Sequence, residues 1–288
     1  MSAKQRSLTW KSTDLPDLPP LPPLGHAWAL LRVAALVPLF LMGTAMTLAL
    51  RVVERLFLGK RRVLTLRVMQ AVFRLSLRIM GLVILTDGAK AIRPGPGARA
   101  IVANHASWLD ILVLGAAQPV VFVSKADVAD WPVIGALARM VGTVFIARDP
   151  RQAALQKMRL AEALAEGQVL VLFPEGTSTD GLRVLRFKST LMAAFDLTAG
   201  PQAPLIQPVT VQYSAPDTID EPRFYAWWGD MALAPHLWSI LGQSRQGHVT
   251  ITRHELVRAS DFEDRKTLSA ALEAAVRAGM PEARRGHV

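Results

Sequence analysis

A histidine and an aspartate five residues apart, in the heptapeptide NHASWLD at positions 104–110, are the pair in this chain best suited to moving a proton. A neutral imidazole takes up a proton near neutral pH, and a carboxylate on its second nitrogen fixes the tautomer and favours the charged ring as it forms. On one continuous helix His105 and Asp110 would stand about 140° apart around the axis, so they meet only if the histidine precedes the helix. Ser107 followed three positions later by Asp110 reads as an N-cap pair opening the apolar stretch WLDILVLGAA. The aspartate therefore has two readings, as the acidic member of a capping box or as the partner of His105.

Two further loops combine polar groups with a preceding apolar run. FPEGTSTDG (173–181) follows QVLVLF, and its Pro174 and Gly176 set a sharp turn whose amides and hydroxyls suit an oxygen-rich ligand. GTVFIARD ends a third run and carries Arg148 out beside the next helical stretch. Taken singly, the first is an ordinary turn, and Arg148 is a surface partner of Asp149 or a helix-start residue.

The elements that must position these loops alternate in type. Strands are expected at RAIVA (99–103), VVFVS (120–124), TVFIA (143–147), QVLVLF (168–173), PLIQPVTVQY (204–213) and HVTITRHEL (248–256). Helices are expected at 107–117, 133–140, 151–166, 188–199 and 263–278. This alternation predicts one α/β domain, a mixed sheet flanked by helices, in which functional loops gather at the carboxyl ends of strands. The linker RPGPGA (93–98) opens it, giving a catalytic domain over 93–288, an anchoring region over 27–92 and a proline-rich tail over 1–26.

The region before the linker accounts for the composition. The chain has 288 residues, 51% of them apolar, and a formal net charge of +10. AWALLRVAALVPLFLMGTAMTLAL (27–50) is long enough to cross a hydrocarbon layer of about 30 Å, with Arg32 as its one charge. VLTLRVMQAVFRLSLRIMGLVIL (63–85) reads as a helix on which Arg67, Arg74 and Arg78 fall within about 40° of one another, a basic stripe suited to anionic headgroups. A buried helical hairpin is the alternative. Arg51, Arg55, Lys60, Arg61 and Arg62 cluster between the two, which places the chain after residue 50 on the cytoplasmic side of the inner membrane. Lipid absorbs the basic excess, and no nucleic-acid partner is expected. With no cysteine, disulfides, thiolate metal sites and a cysteine nucleophile are excluded. No carboxylate-rich metal cluster supports a phosphatase, and no G-x-S-x-G elbow supports a serine hydrolase. A membrane-anchored scaffold, or a thioester or ester hydrolase, is the alternative to a transferase.

Read in order, NHASWLD, GTVFIAR, FPEGTST and APLIQPV resemble the four blocks of the glycerolipid acyltransferase family, of the bacterial 1-acylglycerol-3-phosphate and lyso-ornithine lipid type. The N-terminal helix pair resembles the membrane-docking element of bacterial members. The resemblance implies transfer of an acyl group from an acyl thioester, on acyl carrier protein or coenzyme A, to a lysolipid hydroxyl, with no cofactor or metal. It implies His105 as general base, Asp110 as its orienting partner and Lys125 as oxyanion donor, a surface lysine being the competing reading. Arg148, Glu175, Gly176, Thr177, Ser178 and Lys188 would bind the acceptor. One position departs from the pattern: many phosphatidate-forming members carry arginine after FPEGT, where this chain has Ser178. A phosphomonoester acceptor thus lacks one expected bidentate partner, unless Arg148, Arg183, Arg186 or Lys188 replaces it. The segment 223–242, rich in Trp and apolar residues, suits an acyl channel, the bilayer surface or plain core packing.

Overall fold

A computed structural model describes residues 14–59, 61–95, 97–126, 142–146, 167–195 and 198–282, with positions 129, 135, 138, 139, 158, 160 and 162–164. Strands β1 (Val83–Gly88), β2 (Arg99–Ala103), β3 (Val121–Lys125), β4 (Val144–Ile146), β5 (Val169–Leu172), β6 (Leu205–Ser214), β7 (His248–Arg253) and β8 (Val257–Arg258) form one sheet. Its order is β1-β7-β6-β2-β5-β3-β4, with β8 on β6. β2 pairs in parallel with both β5 and β6, whereas β6 runs antiparallel to β7 and β8. The sheet is therefore mixed, as the alternation predicts.

Strand side chains alternate between two cores. Ile101 and Ala103 of β2 and Val169 and Val171 of β5 face one apolar layer. Their neighbours Ala100, Val102, Leu170 and Leu172 face the other. Helices α2 (Val63–Met80) and α3 (Leu109–Ala117) cover the first layer, and α5 (Arg265–Ala278) covers the second with Leu268, Leu272 and Val276. Apolar runs without polar alternation are what a sheet buried on both faces requires. α5 starts where Asp264 accepts the amides of Lys266 and Thr267 in a capping box.

Several expected boundaries change. The helix expected over 63–85 ends at Met80, because Gly81 takes the left-handed conformation (φ +86°) and its amide closes on Leu77 and Arg78. Ile84 and its neighbours continue as the edge strand β1, paired with β7. The boundary expected at 92/93 thus falls between two strands of one sheet. The helix expected over 188–199 is instead a 3-10 segment, Ser189–Ala194. The tighter coil brings Met192 and Phe195, three apart and both buried, to one side. The candidates at 133–140 and 151–166 lie largely outside the described residues. An additional helix, α4 (Leu233–Leu241), forms within the Trp-rich segment.

The first helix, α1 (Pro23–Phe57), has the length and apolar composition to cross a membrane. One stripe of it is nonetheless buried: Ala29, Arg32, Leu36, Leu39, Gly43, Thr47 and Glu54 face the protein. Arg32 donates to the carbonyls of Ile79 (3.1 Å), Leu241 (2.7 Å) and Gln243 (2.5 Å), tying α1 to the C-terminal ends of α2 and α4. At its other end Glu54 accepts the amides of Leu64 (2.6 Å) and Thr65 (2.9 Å) and the Thr65 hydroxyl, capping the N-terminus of α2. Both charges sit where a helix end leaves groups of opposite polarity unpaired. The opposite side of α1 exposes Leu30, Leu31, Val37, Leu41 and Met42.

Candidate active site

Two parallel neighbours, β2 and β5, end together, and the loops after them meet. The register pairs Val102 with Leu172, so continuing both chains by three residues brings His105 opposite Glu175. The His105 amide donates to Glu175 Oε2 at 2.6 Å, and Glu175 Oε1 accepts the Leu185 amide at 2.7 Å. On the other side Asn104 extends the ladder with its side chain. Its Nδ2 donates to the Val211 carbonyl (2.9 Å) and its Oδ1 accepts the Val211 amide (2.8 Å), replacing the peptide group that leaves β2.

Asp110 is fully buried in the first turn of α3 and collects four donors. Oδ2 accepts from the amides of Ala106 (2.8 Å) and Ser107 (3.0 Å) and faces His105 Nδ1 at 2.7 Å. Oδ1 accepts the Tyr213 hydroxyl at 2.7 Å. The aspartate is the partner of His105 but not the acidic member of a complete capping box, since the N-cap of α3 is Trp108 and no side chain caps it. Asp110 reaches back to the Ser107 amide as the acidic member of a capping box does, and it also binds the histidine. The other half of the box is absent, since Ser107 Oγ accepts from Leu109 (3.3 Å) and the helix begins at Leu109 rather than 107.

An oxygen that already accepts two amides requires a donor from the ring, so Nδ1 carries the proton and Nε2 is the acceptor. Among the described residues, Nε2 has no hydrogen-bond partner. The ring stacks on Phe173 with centroids 4.3 Å apart, and its side chain is 24% exposed. His105 is thus an oriented imidazole with one open nitrogen, and its backbone is bonded to a polar loop.

That loop is FPEGTS. Gly176 adopts φ +69°, and a Cβ there would stand 2.6 Å from Lys188 Nζ, so the lysine ammonium lies across the glycine. Thr177 and Ser178 are buried beside it, with Thr177 Oγ1 donating to the Ser178 carbonyl at 3.3 Å. Thr179 ties the loop to the histidine by donating its amide to the His105 carbonyl at 2.9 Å. Asp180 and Arg183 pair at 2.9 Å. Of the remaining expected site residues, Lys125 is the last of β3, beside Ile146 of β4, and Arg148 lies outside the described residues.

Three contributors were not identified from sequence. Tyr213 and Asn104 act through pairings made only by the sheet, although Asn104 stood inside the motif. The third is His236, buried in α4, which accepts the Trp108 indole at 3.1 Å on Nδ1 and turns Nε2 to the Phe224 carbonyl. Burial lowers its pKa to about 4, so it is neutral when it receives that donor. With the Trp227 amide on the Ala106 carbonyl at 2.8 Å, these contacts lay the Trp-rich segment against the histidine loop.

Burial pushes the Glu175 carboxyl from its ordinary value of 4.5 up to about 8, against two amide donors that act in the other direction. The folded state keeps this proton where the unfolded chain has lost it. The stabilisation is complete below about pH 4.5 and falls as pH rises toward 8. Thermal unfolding between pH 5 and pH 8 is expected to show a smaller loss of Tm for Glu175→Gln than for the wild type.

Residues 88–212 match the family model described as Acyltransferase. The chain is 46% identical over 271 residues to a lyso-ornithine lipid O-acyltransferase of Rhodobacter capsulatus, covering 94% of this chain and 96% of that one. It is 31% identical over 202 residues to a 1-acyl-sn-glycerol-3-phosphate acyltransferase of Neisseria gonorrhoeae, covering 68% of this chain and 76% of that one. Among solved structures, the 1-acyl-sn-glycerophosphate (LPA) acyltransferase PlsC of Thermotoga maritima shares the fold, with a TM-score of 0.58 at 20% identity over 88% of this chain and 93% of that one. On the strength of these matches and of the motifs that build the site, the chain belongs to the glycerolipid acyltransferase family and is a transferase.

Proposed function

We propose that the enzyme transfers a fatty acyl group from an acyl thioester to the free hydroxyl of lyso-ornithine lipid, in membrane lipid biosynthesis. The observation that carries this reading is the His105–Asp110 pair with Nε2 open, in a chain 46% identical to a relative of that name along 96% of its length. The acceptor hydroxyl gives its proton to Nε2 as its oxygen attacks the thioester carbonyl. The tetrahedral oxyanion then collapses, the carbon–sulfur bond breaks, and the sulfur takes the proton back from the imidazolium, so that acyl carrier protein or coenzyme A leaves as the free thiol. Asp110 holds the ring and favours its charged form, and Tyr213 holds Asp110. The acceptor needs no enzyme nucleophile and the reaction no redox change, which matches a site built around one base.

In the same reading Lys125 stabilises the oxyanion, and Arg148, Gly176, Thr177, Ser178 and Lys188 line the acceptor site. Glu175, occupied by the His105 and Leu185 amides, acts by fixing the loop. Serine at 178 favours a zwitterionic headgroup over a phosphomonoester, with 1-acylglycerol 3-phosphate as the second acceptor. The chain docks on the cytoplasmic face of the inner membrane through the exposed apolar side of α1 and the exposed Arg67, Arg74 and Arg78 of α2.

Purified enzyme given one labelled acyl donor and both acceptors is expected to acylate lyso-ornithine lipid faster. Exclusive use of 1-acylglycerol 3-phosphate overturns the acceptor assignment. His105→Ala is expected to lower transfer by about 10²–10⁴-fold with unchanged membrane association. Tyr213→Phe removes one donor from a buried carboxylate and is expected to lower kcat about tenfold with KM little changed. In a Ser178→Arg variant of unchanged Tm, steady-state kinetics should show kcat/KM for 1-acylglycerol 3-phosphate rising roughly tenfold relative to lyso-ornithine lipid.

A further inference from the structure

At the end of α3 remote from Asp110, a cleft of about 590 Å³ opens between α2, α3 and the edge strand β1. Its volume falls in the range of about 300–1,000 Å³ that small-molecule sites occupy. Arg74, Arg78 and Arg253 line it, and among the described residues no acidic one does. Leu77, Val83 and Ile84 supply its apolar wall. We propose that this cleft binds the phosphate of an anionic membrane phospholipid, a site separate from the acceptor site. The proposal rests on the reading that the chain docks on a bilayer and names the headgroup chemistry that holds it there.

The arginines are placed to receive an anion rather than to serve the fold. Arg253, at the end of β7, is half-buried and has no side-chain hydrogen bond or ion pair among the described residues. Burial lowers its pKa, since a guanidinium removed from water without a counter-charge loses hydration that nothing replaces. Arg78 likewise has no partner among the described residues. Arg74 spends only Nε, donated to the Ala116 carbonyl at the C-terminus of α3 (2.8 Å), so its terminal nitrogens remain for a ligand. A phosphate with several anionic oxygens matches a fork of donors from more than one arginine.

The rim indicates a lipid source. Val83 of β1, on the cleft wall, is 56% exposed, and α2, which supplies Leu77 to the same wall, also exposes Leu75 at 43%. The wall also includes Gly81, where a Cβ would stand 3.5 Å from a guanidinium nitrogen of Arg32, so the cleft opens next to α1. The unburied side of α1 is apolar over most of its length. An amphiphile therefore finds cations within the cleft and hydrocarbon-like surface outside it, whereas a free phosphate would use only the first.

The test measures retention of phosphatidylglycerol and of phosphatidylcholine by the full-length enzyme in detergent, by native mass spectrometry across a lipid titration. Wild type is expected to retain phosphatidylglycerol preferentially. Arg253→Gln and the exposed Arg78→Gln should each weaken that retention about tenfold, Arg253→Lys should restore part of it, and Arg265→Gln, on α5 at the other face, should leave it unchanged. Equal retention by wild type and both Gln variants overturns the site. So does an equal loss in Arg265→Gln, which reduces the effect to net charge. Displacement of the lipid by millimolar inorganic phosphate shows a bare-anion site and overturns the lipid assignment. Sedimentation with phosphatidylglycerol vesicles separates the two levels: if Arg253→Gln still sediments while losing the retained lipid, docking stands and the cleft is the lipid site. If wild type does not sediment, docking and this proposal fall together.

Discussion

A carboxylate sealed from water is tolerated only where donors replace its hydration, and the site depends on how Asp110 meets that condition. Four donors reach it, from the His105 ring, the Ala106 and Ser107 amides and the Tyr213 hydroxyl. They come from the turn after β2, and from β6. Fixing Asp110 therefore fixes the loop, the start of α3 and the ring of His105 together. The same carboxylate is a helix-start residue and the partner of the His105 ring, so stability of the fold and orientation of the imidazole are one requirement rather than two.

The rest of the molecule repeats that arrangement at its periphery. Arg32 and Glu54, both buried in α1, are hydrogen-bonded by backbone groups at helix ends, carbonyls at the C-termini of α2 and α4 for the arginine and amides at the N-terminus of α2 for the glutamate, which also pairs with Arg51 at 3.3 Å. Two buried charges thereby attach a long apolar helix to the catalytic layer over most of its length. A helix held in this way carries the domain with it. The exposed side of that helix stays apolar, with Leu30, Leu31, Val37, Leu41 and Met42 unburied.

The Trp-rich segment connects the two regions. Trp108 belongs to the histidine loop and bonds His236 of α4, while Trp238 of α4 bonds His26 near the start of α1 at 3.0 Å. A helix within a stretch read as channel lining, bilayer surface or core thus links the histidine loop to the long apolar helix α1. Its neutral, buried His236 accepts one indole and faces a carbonyl with its other nitrogen, a pairing available only to an uncharged ring in a single tautomer.

What the sequence alone determined was local. Apolar runs without alternation required a sheet covered on both faces, and the proximity of His105 and Asp110 followed from placing one before a helix and the other within its first turn, a matter of a few residues of backbone. The FPEGT turn was legible for the same reason, because a glycine in the left-handed region and a preceding proline act on their own neighbours. Tertiary structure decided whatever needed a strand partner. Tyr213 lies more than one hundred residues from Asp110, and nothing in its surroundings in sequence distinguishes it from another strand tyrosine. The end of α2 at Gly81 was obscured because apolar residues run on without interruption, and only pairing with β7 shows that the period changes from helix to strand. Side-chain partners across a sheet are set by register and strand order, and these are properties of the assembled chain rather than of any stretch within it.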